Sequence, residues 1–287
     1  MRRIRPFRTE YDQWMDPSVG NPADPAEAAV RRLVDEHGGA LYALASRFCG
    51  NPTDAEDLVQ EVFLQAFRGW GSFRGESSER TWLYRIAARA CARMHRKRAG
   101  EPDRVASLES LLPFGEALIA RVPSGQEGPL PQAIRREARG RLEAEITRLP
   151  DEFRVPLLLK EIAGLSVAEI AQVLGMEEPT VRTRVHRARL HLRAEVDRAL
   201  PRDPRPAPPP AYEERTCLDL LNAKQDALDR GVPFDSAIIC DRCRAVFATL
   251  DLTSEVCRDL ARDGWPDEVR ERLSRRLAEA ADGRDRR

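Results

Sequence analysis

Beyond Ala211 the chain carries four of its six cysteines, Cys217, Cys240, Cys243 and Cys257. The C-x-x-C at Cys240–Cys243 sets two thiolates at a spacing that can bite one tetrahedral metal ion, and Cys217 with Cys257 would complete a four-sulfur site. The count C-x22-C-x2-C-x13-C is not a standard zinc-finger spacing. If 241–257 were one straight helix, Cys243 and Cys257 would lie about 21 Å apart at 1.5 Å per residue. Sharing one ion therefore requires a bend, near Thr249–Ser254. Two other readings stand beside the metal site: a thiol–disulfide switch, since C-x-x-C lowers a thiol pKa, and incidental buried cysteines. Cys49 and Cys91 sit on apolar or mixed helical positions and read as small core residues.

Enzyme chemistry finds no footing. The four histidines (His37, His95, His186, His191) form no pattern with a nucleophile or a carboxylate pair, and no glycine-rich phosphate loop is present.

The second group of reactive residues is a run of cations in 166–193, SVAEIAQVLGMEEPTVRTRVHRARLHLR. Ser166 followed by Glu169 is a capping box that starts a helix. Val167, Ile170, Ala171 and Leu174 form its apolar stripe, and Gly175 can take positive φ at its end. Pro179 suits the first turn of a second helix. In that helix Val181, Val185, Ala188 and Leu192 face inward, while Arg182, Arg184, Arg187, Arg189 and Arg193 carry charge with no acid from 179 to 193. Two short helices around a glycine turn, the second basic, make a helix-turn-helix whose second helix enters a DNA major groove.

These elements belong to an all-α chain: aromatics make up 6 % and charged residues 33 % of its 287 residues, and helix formers dominate. Net charge is zero but segregated, with seven Arg/Lys and no acid from Arg80 to Arg98. The basic start MRRIRPFR is followed by no apolar run, so it is not a signal peptide. No window reaches the length of a membrane span, and a cytoplasmic location is expected, where paired structural disulfides are rare.

In chain order, 1–25 reads as a disordered arm. Ala29, Leu33, Leu41, Leu44, Ala45 and Phe48 recur at helical spacing, broken at His37–Gly39. Thr53 with Glu56 reads as a capping box for the helix DAEDLVQEVFLQAFRGW, which buries Leu58, Val62 and Ala66 and turns Asp57, Gln60, Glu61 and Gln65 outward. A loop rich in Gly and Ser leads to TWLYRIAARACARMHRKR, a basic amphipathic helix opened by Trp82 and Tyr84. An acidic face suits a basic protein surface, and a basic helix with aromatics at its head suits DNA phosphates and an unstacked base.

NPTDAEDLVQEVFLQAFRGWGSFRGESSERTWLYRIAARACARMHRKR resembles region 2 of the extracytoplasmic-function (ECF) sigma factors, and LPDEFRVPLLLKEIAGLSVAEIAQVLGMEEPTVRTRVHRARLHLR is similar to their region 4. The matches cover roughly 27–98 and 138–198, in the family's order. The resemblance implies a D-x-x-Q-E-x-F helix (Asp57, Gln60, Glu61, Phe63) that docks on the clamp helices of bacterial RNA polymerase core. It also implies −10 promoter contacts from Trp82, Arg85, Arg89, Arg93 and Arg96, and −35 contacts from Thr180, Arg182, Thr183, Arg184 and Arg187. Arg89 and Arg93 stand where the family often has Asn and Asp, which would strengthen phosphate contact and change which bases are read.

The expected organisation is therefore an arm (1–25), region 2 (26–98), a linker (99–137) with an apolar patch around Leu111 and Phe114, region 4 (138–200), a proline-rich spacer (201–211) and a cysteine-rich domain (212–287). TCLDLLNAKQDALDRGVPFDSAIICDRC resembles the zinc-binding anti-sigma domain, but Ser236 stands at that family's histidine ligand. The resemblance implies zinc, or copper or another thiophilic metal, in the tail. The function expected is promoter recognition by an ECF-type sigma factor regulated in cis by its tail or by a separate anti-sigma factor. The alternative is a metal- or redox-sensing helix-turn-helix regulator that binds duplex DNA as a dimer without polymerase; the D-x-x-Q-E-x-F helix argues against it.

Overall fold

The computed structural model describes residues 25–95, 129–200 and 209–285. The arm 1–24, most of the linker, Arg96 and the spacer's 201–208 lie outside the described residues. Among the described residues there are ten α-helices, two single 3-10 turns and no strand. The all-α expectation holds.

The N-terminal unit is α1 (Ala26–Cys49), α2 (Pro52–Gly69) and α3 (Glu79–His95). Gly50 ends α1 in the left-handed region at φ 72°, its N–H reaching Ser46. The helix runs unbroken through His37–Gly39, contrary to the break expected there. The cap of α2 is Asn51, which accepts the Asp54 N–H at 2.8 Å, and not Thr53. Pro52 at the first helical position fixes φ and starts the helix earlier than the Thr53 reading.

The second unit is α4 (Pro129–Arg148), α5 (Asp151–Glu161), α6 (Val167–Leu174) and α7 (Glu178–Ala199). Here the local reading is borne out. Ser166 and Glu169 form a reciprocal capping box, Gly175 closes α6 at φ 62°, and α7 opens with proline in its first turn. Val181, Val185, Ala188 and Leu192 are fully buried.

The tail adds α8 (Glu214–Arg230), α9 (Asp241–Asp259) and α10 (Asp267–Asp285). Helix α9 packs on α7, α4 and α5, and α10 lies on α2. One contiguous core runs through all three parts, with Leu252, Val256, Cys257, Leu260 and Leu273 of the tail joined to it. Burying each such leucine is worth about 1.5–3 kcal/mol. A second, smaller cluster gathers Cys217, Leu220, Leu221, Cys243, Val246, Phe247 and Leu250 around Leu190 of α7.

Helix α9 is continuous from Asp241 to Asp259, so the bend expected near Thr249–Ser254 is absent. The hydroxyls of Thr249 and Thr253 donate back to the carbonyls of Ala245 and Thr249, at 3.0 and 2.7 Å, and so need no break in the helix.

Candidate promoter and polymerase interfaces

On α2 the acidic edge forms as expected, with Asp57 and Glu61 exposed. Gln60 is buried (5 % exposed) and Phe63 is wholly inside the core (0 %). That corrects the reading of Phe63 as a docking contact. It lies one position from Val62 on the apolar side and seats the helix. Gln60 is covered by the tail, because Arg276 donates to its side-chain carbonyl and Arg272 holds Glu56 at 2.6 Å.

At the head of α3, Trp82 is half-buried and packs edge-on to Trp70 at 5.7 Å and against Phe73 at 5.3 Å. Arg85 and Arg89 are half-buried and Arg93 is exposed. Tyr84 is core, and burial pushes its phenol up to about 12. Helix α3 packs on α6, and Arg80 donates to the Ala163 carbonyl at the turn before α6. The basic helix α3 is thus packed against the first helix of the helix-turn-helix.

The cations of α7 divide by partner. Thr180 and Thr183 are exposed, the Thr183 hydroxyl donating to the Pro179 carbonyl at 2.9 Å. Arg184 lies 3.5 Å from Glu152, and Arg187 stacks over the Phe153 ring at 5.3 Å, both toward α5. Arg189 and Arg193 are buried, which corrects the reading of all five arginines as outward charge. Arg189 donates to Glu161 of α5 at 2.7 Å and to Asp229 of the tail at 2.6 Å. Arg182 sits 3.4 Å from Asp226, and His186 hydrogen-bonds Asp229 at 3.0 Å.

Comparison with known proteins bears on what these faces are. Residues 33–101 match the model of Sigma-70 region 2, and residues 139–192 that of Sigma-70, region 4. The chain is 33 % identical over 170 residues to the ECF RNA polymerase sigma factor SigW of Bacillus subtilis, a match spanning 58 % of this chain and 89 % of SigW. It is also 39 % identical over 163 residues to the ECF RNA polymerase sigma factor SigE of Mycolicibacterium smegmatis, covering 56 % of this chain and 59 % of SigE. The chain belongs to the ECF sigma-factor family. It is a transcription initiation factor and not an enzyme. The RNA polymerase sigma-H factor of Pseudomonas aeruginosa is similar at 34 % identity over 171 residues, with 58 % and 84 % of the two chains covered. Helices α8, α9 and α10 of this ECF sigma factor lie beyond both matched regions.

In that tail the cysteines separate. Cys240 caps α9, and Cys243, one turn on, neighbours both Cys240 and Cys217. Burial works against ionising Cys240, but backbone N–H groups of Cys243 and Arg242 at the helix start outweigh it and hold its thiol below the ordinary value. Burial first, then the two neighbouring sulfurs, push Cys243 up to about 12. Cys257 is in the main core beside Glu161 and Arg189, and burial pushes its thiol well up. Its inclusion as a ligand is corrected: on an unbroken helix it lies about 21 Å along the axis from Cys243.

Among the described residues, the ligand-type side chains that converge within 4.8 Å of one another are His186, Asp226 and Asp229. Burial would raise the Asp229 carboxyl, but hydrogen bonds and charge from His186 and Arg189 win and hold it below the usual carboxylate value. The positive charge a metal would bring is already supplied there by Arg182 and Arg189. This convergence, missed in the sequence, is therefore an ion-pair junction between α7 and the tail. Its one sequence signal is that Asp226 and Asp229 fall three apart on one helix face. No helix among the described residues is long and apolar enough to cross a membrane.

Proposed function

We propose that this ECF sigma factor docks on bacterial core RNA polymerase through the Asp57–Glu61 edge and directs initiation at promoters, held in check in cis by its own tail. In this reading region 2 (26–98) meets the −10 element with Trp82, Arg85, Arg89 and Arg93. Region 4 (138–200) meets the −35 element with Thr180, Arg182, Thr183, Arg184 and Arg187. The observation that carries the cis reading is α10 lying on α2, with Arg272 on Glu56 and Arg276 on Gln60. Gln60, in the middle of that edge, cannot meet polymerase until the tail moves, although Asp57 and Glu61 on either side of it are exposed. Tethering gives the tail a high effective concentration, so modest docking suffices.

Zinc, or copper or another thiophilic metal, would take Cys217, Cys240 and Cys243, whose sulfurs do not all lie within 4.8 Å of one another and would have to draw together around the ion. A thiophilic ion there would tie α8 to the start of α9, and any ion that binds one state of the tail better shifts the balance between states.

Run-off transcription with core polymerase, on DNA taken from upstream of the chain's own gene, tests this function. A chain ending at Leu200 is expected to initiate, and the full chain to initiate several-fold less. Failure of both forms to initiate or to bind core contradicts it.

A further inference from the structure

The cations of α7 do not share one set of counter-charges. Arg184, Arg187 and His191 find Glu152, Phe153 and Glu145 within their own unit. Arg182 and His186 take theirs from the tail, and Arg189 splits between Glu161 and the tail's Asp229. These three lie along one flank of α7. Leu190, roughly opposite the inward Val181–Leu192 stripe at 100° per residue, is only 2 % exposed, and its cluster is otherwise built from the tail. The Asp229 side chain is 6 % exposed, the Arg189 side chain 2 % and the His186 side chain 12 %. Lys160 of α5 also reaches this junction, donating to the Asp229 carbonyl at 2.7 Å. Two carboxylates thus face the solvent side of a helix that, on the sigma-factor reading above, lies in a major groove.

We propose that the Asp226–Asp229 edge of α8 stands in for the phosphates of duplex DNA, so that tail and promoter are mutually exclusive occupants of Arg182, His186 and Arg189. The geometry is that of a charge-paired mimic. Carboxylates at 2.6–3.4 Å from two guanidiniums and an imidazole occupy the positions from which those groups would reach backbone oxygens. The partner that opens this contact is then double-stranded nucleic acid itself. The apolar contact at Leu190 holds the tail over the helix where charge alone would be screened by salt. The inference rests on α7 being a DNA reader, and its test needs no polymerase.

Binding of a labelled 30-base-pair duplex of arbitrary sequence to the full chain is measured across a salt series. The proteins compared are the wild type, Asp226→Asn, Asp226→Asn with Asp229→Asn, and a control, Asp219→Asn with Asp235→Asn, that removes two exposed tail acids. The double variant is expected to bind roughly tenfold tighter at low salt. Its log–log salt slope should be steeper by about 2, as two or three more cations reach phosphate. Asp226 is half-exposed, so its single variant carries the least folding risk and is expected to fall between. Equal gains for control and junction variants would assign the effect to bulk charge and overturn the proposal, as would no gain at all. Those outcomes leave run-off initiation by the shortened chain untouched, so the two readings fail separately.

Discussion

At the scale of single residues, the tail thiols and the acids of α8 each have an assignable task. Cys240 gains from its place at the N-terminus of α9, where backbone N–H groups favour the thiolate. Cys243 is held as a thiol by burial and by its sulfur neighbours, and a metal ion would reverse that by displacing the proton. Zinc analysis of the purified full chain is expected to give about one ion per chain. Cys240→Ser and Cys243→Ser should each lose most of it, while Cys257→Ser, altering a core residue far along the helix, should keep it. Loss with Cys257→Ser and retention with Cys243→Ser would reverse the assignment.

At the scale of elements, α1 carries an internal glycine pair whose two members do different things. A Cβ on Gly38 would come within 2.6 Å of the Trp265 indole, whereas one on Gly39 would meet nothing within 4 Å. The tail therefore seats Trp265 in a slot that only glycine leaves open. Arg270 on Asp35 and Asp263 on Arg47, at 2.8 and 2.6 Å, flank it. Glycine in a helix costs about 1 kcal/mol relative to alanine. Gly39→Ala is expected to raise stability by up to that amount. Gly38→Ala should instead loosen the tail, read as faster hydrogen exchange in α10 and in the Leu260–Arg262 turn. Equal protection of α10 in both variants would remove the slot from the account.

The same glycines show what was legible in the sequence. The capping box, the left-handed Gly175 and the inward stripe of α7 follow from neighbours within a few positions, and they form as read. Gly38 looked like a helix break because the reason for it lies far away in the chain, at Trp265. Asn51 displaced Thr53 as cap because Pro52 needs no N–H partner. The burial of Phe63, Arg189 and Arg193 and the isolation of Cys257 came from packing between helices, which period and spacing alone do not encode. The acidic edge of α2 and the basic character of α3 and α7 were readable; that tail side chains would pair with the first and the last was not.

At the scale of the whole molecule, one core joins region 2, region 4 and the tail, and the tail meets both α2 and α7. Helix α10 lies on α2 at Glu56 and Gln60, α8 supplies acids to α7, and α9 packs on α4, α5 and α7. Region 2 and region 4 are also turned on each other through α3 and α6. On the proposed reading this arrangement is a resting state, opened when polymerase, DNA or a change at the cysteines favours the released tail.

The most direct measurement is the affinity of the full chain for bacterial core RNA polymerase, compared with that of Arg272→Glu combined with Arg276→Glu. These substitutions set a carboxylate against Glu56 and remove the donor to the Gln60 carbonyl without altering α2. The account predicts that the wild type binds core weakly and the variant at least several-fold more tightly, with helix content unchanged. Equally tight binding by both would mean that α10 does not guard the polymerase-docking face, and would contradict the account.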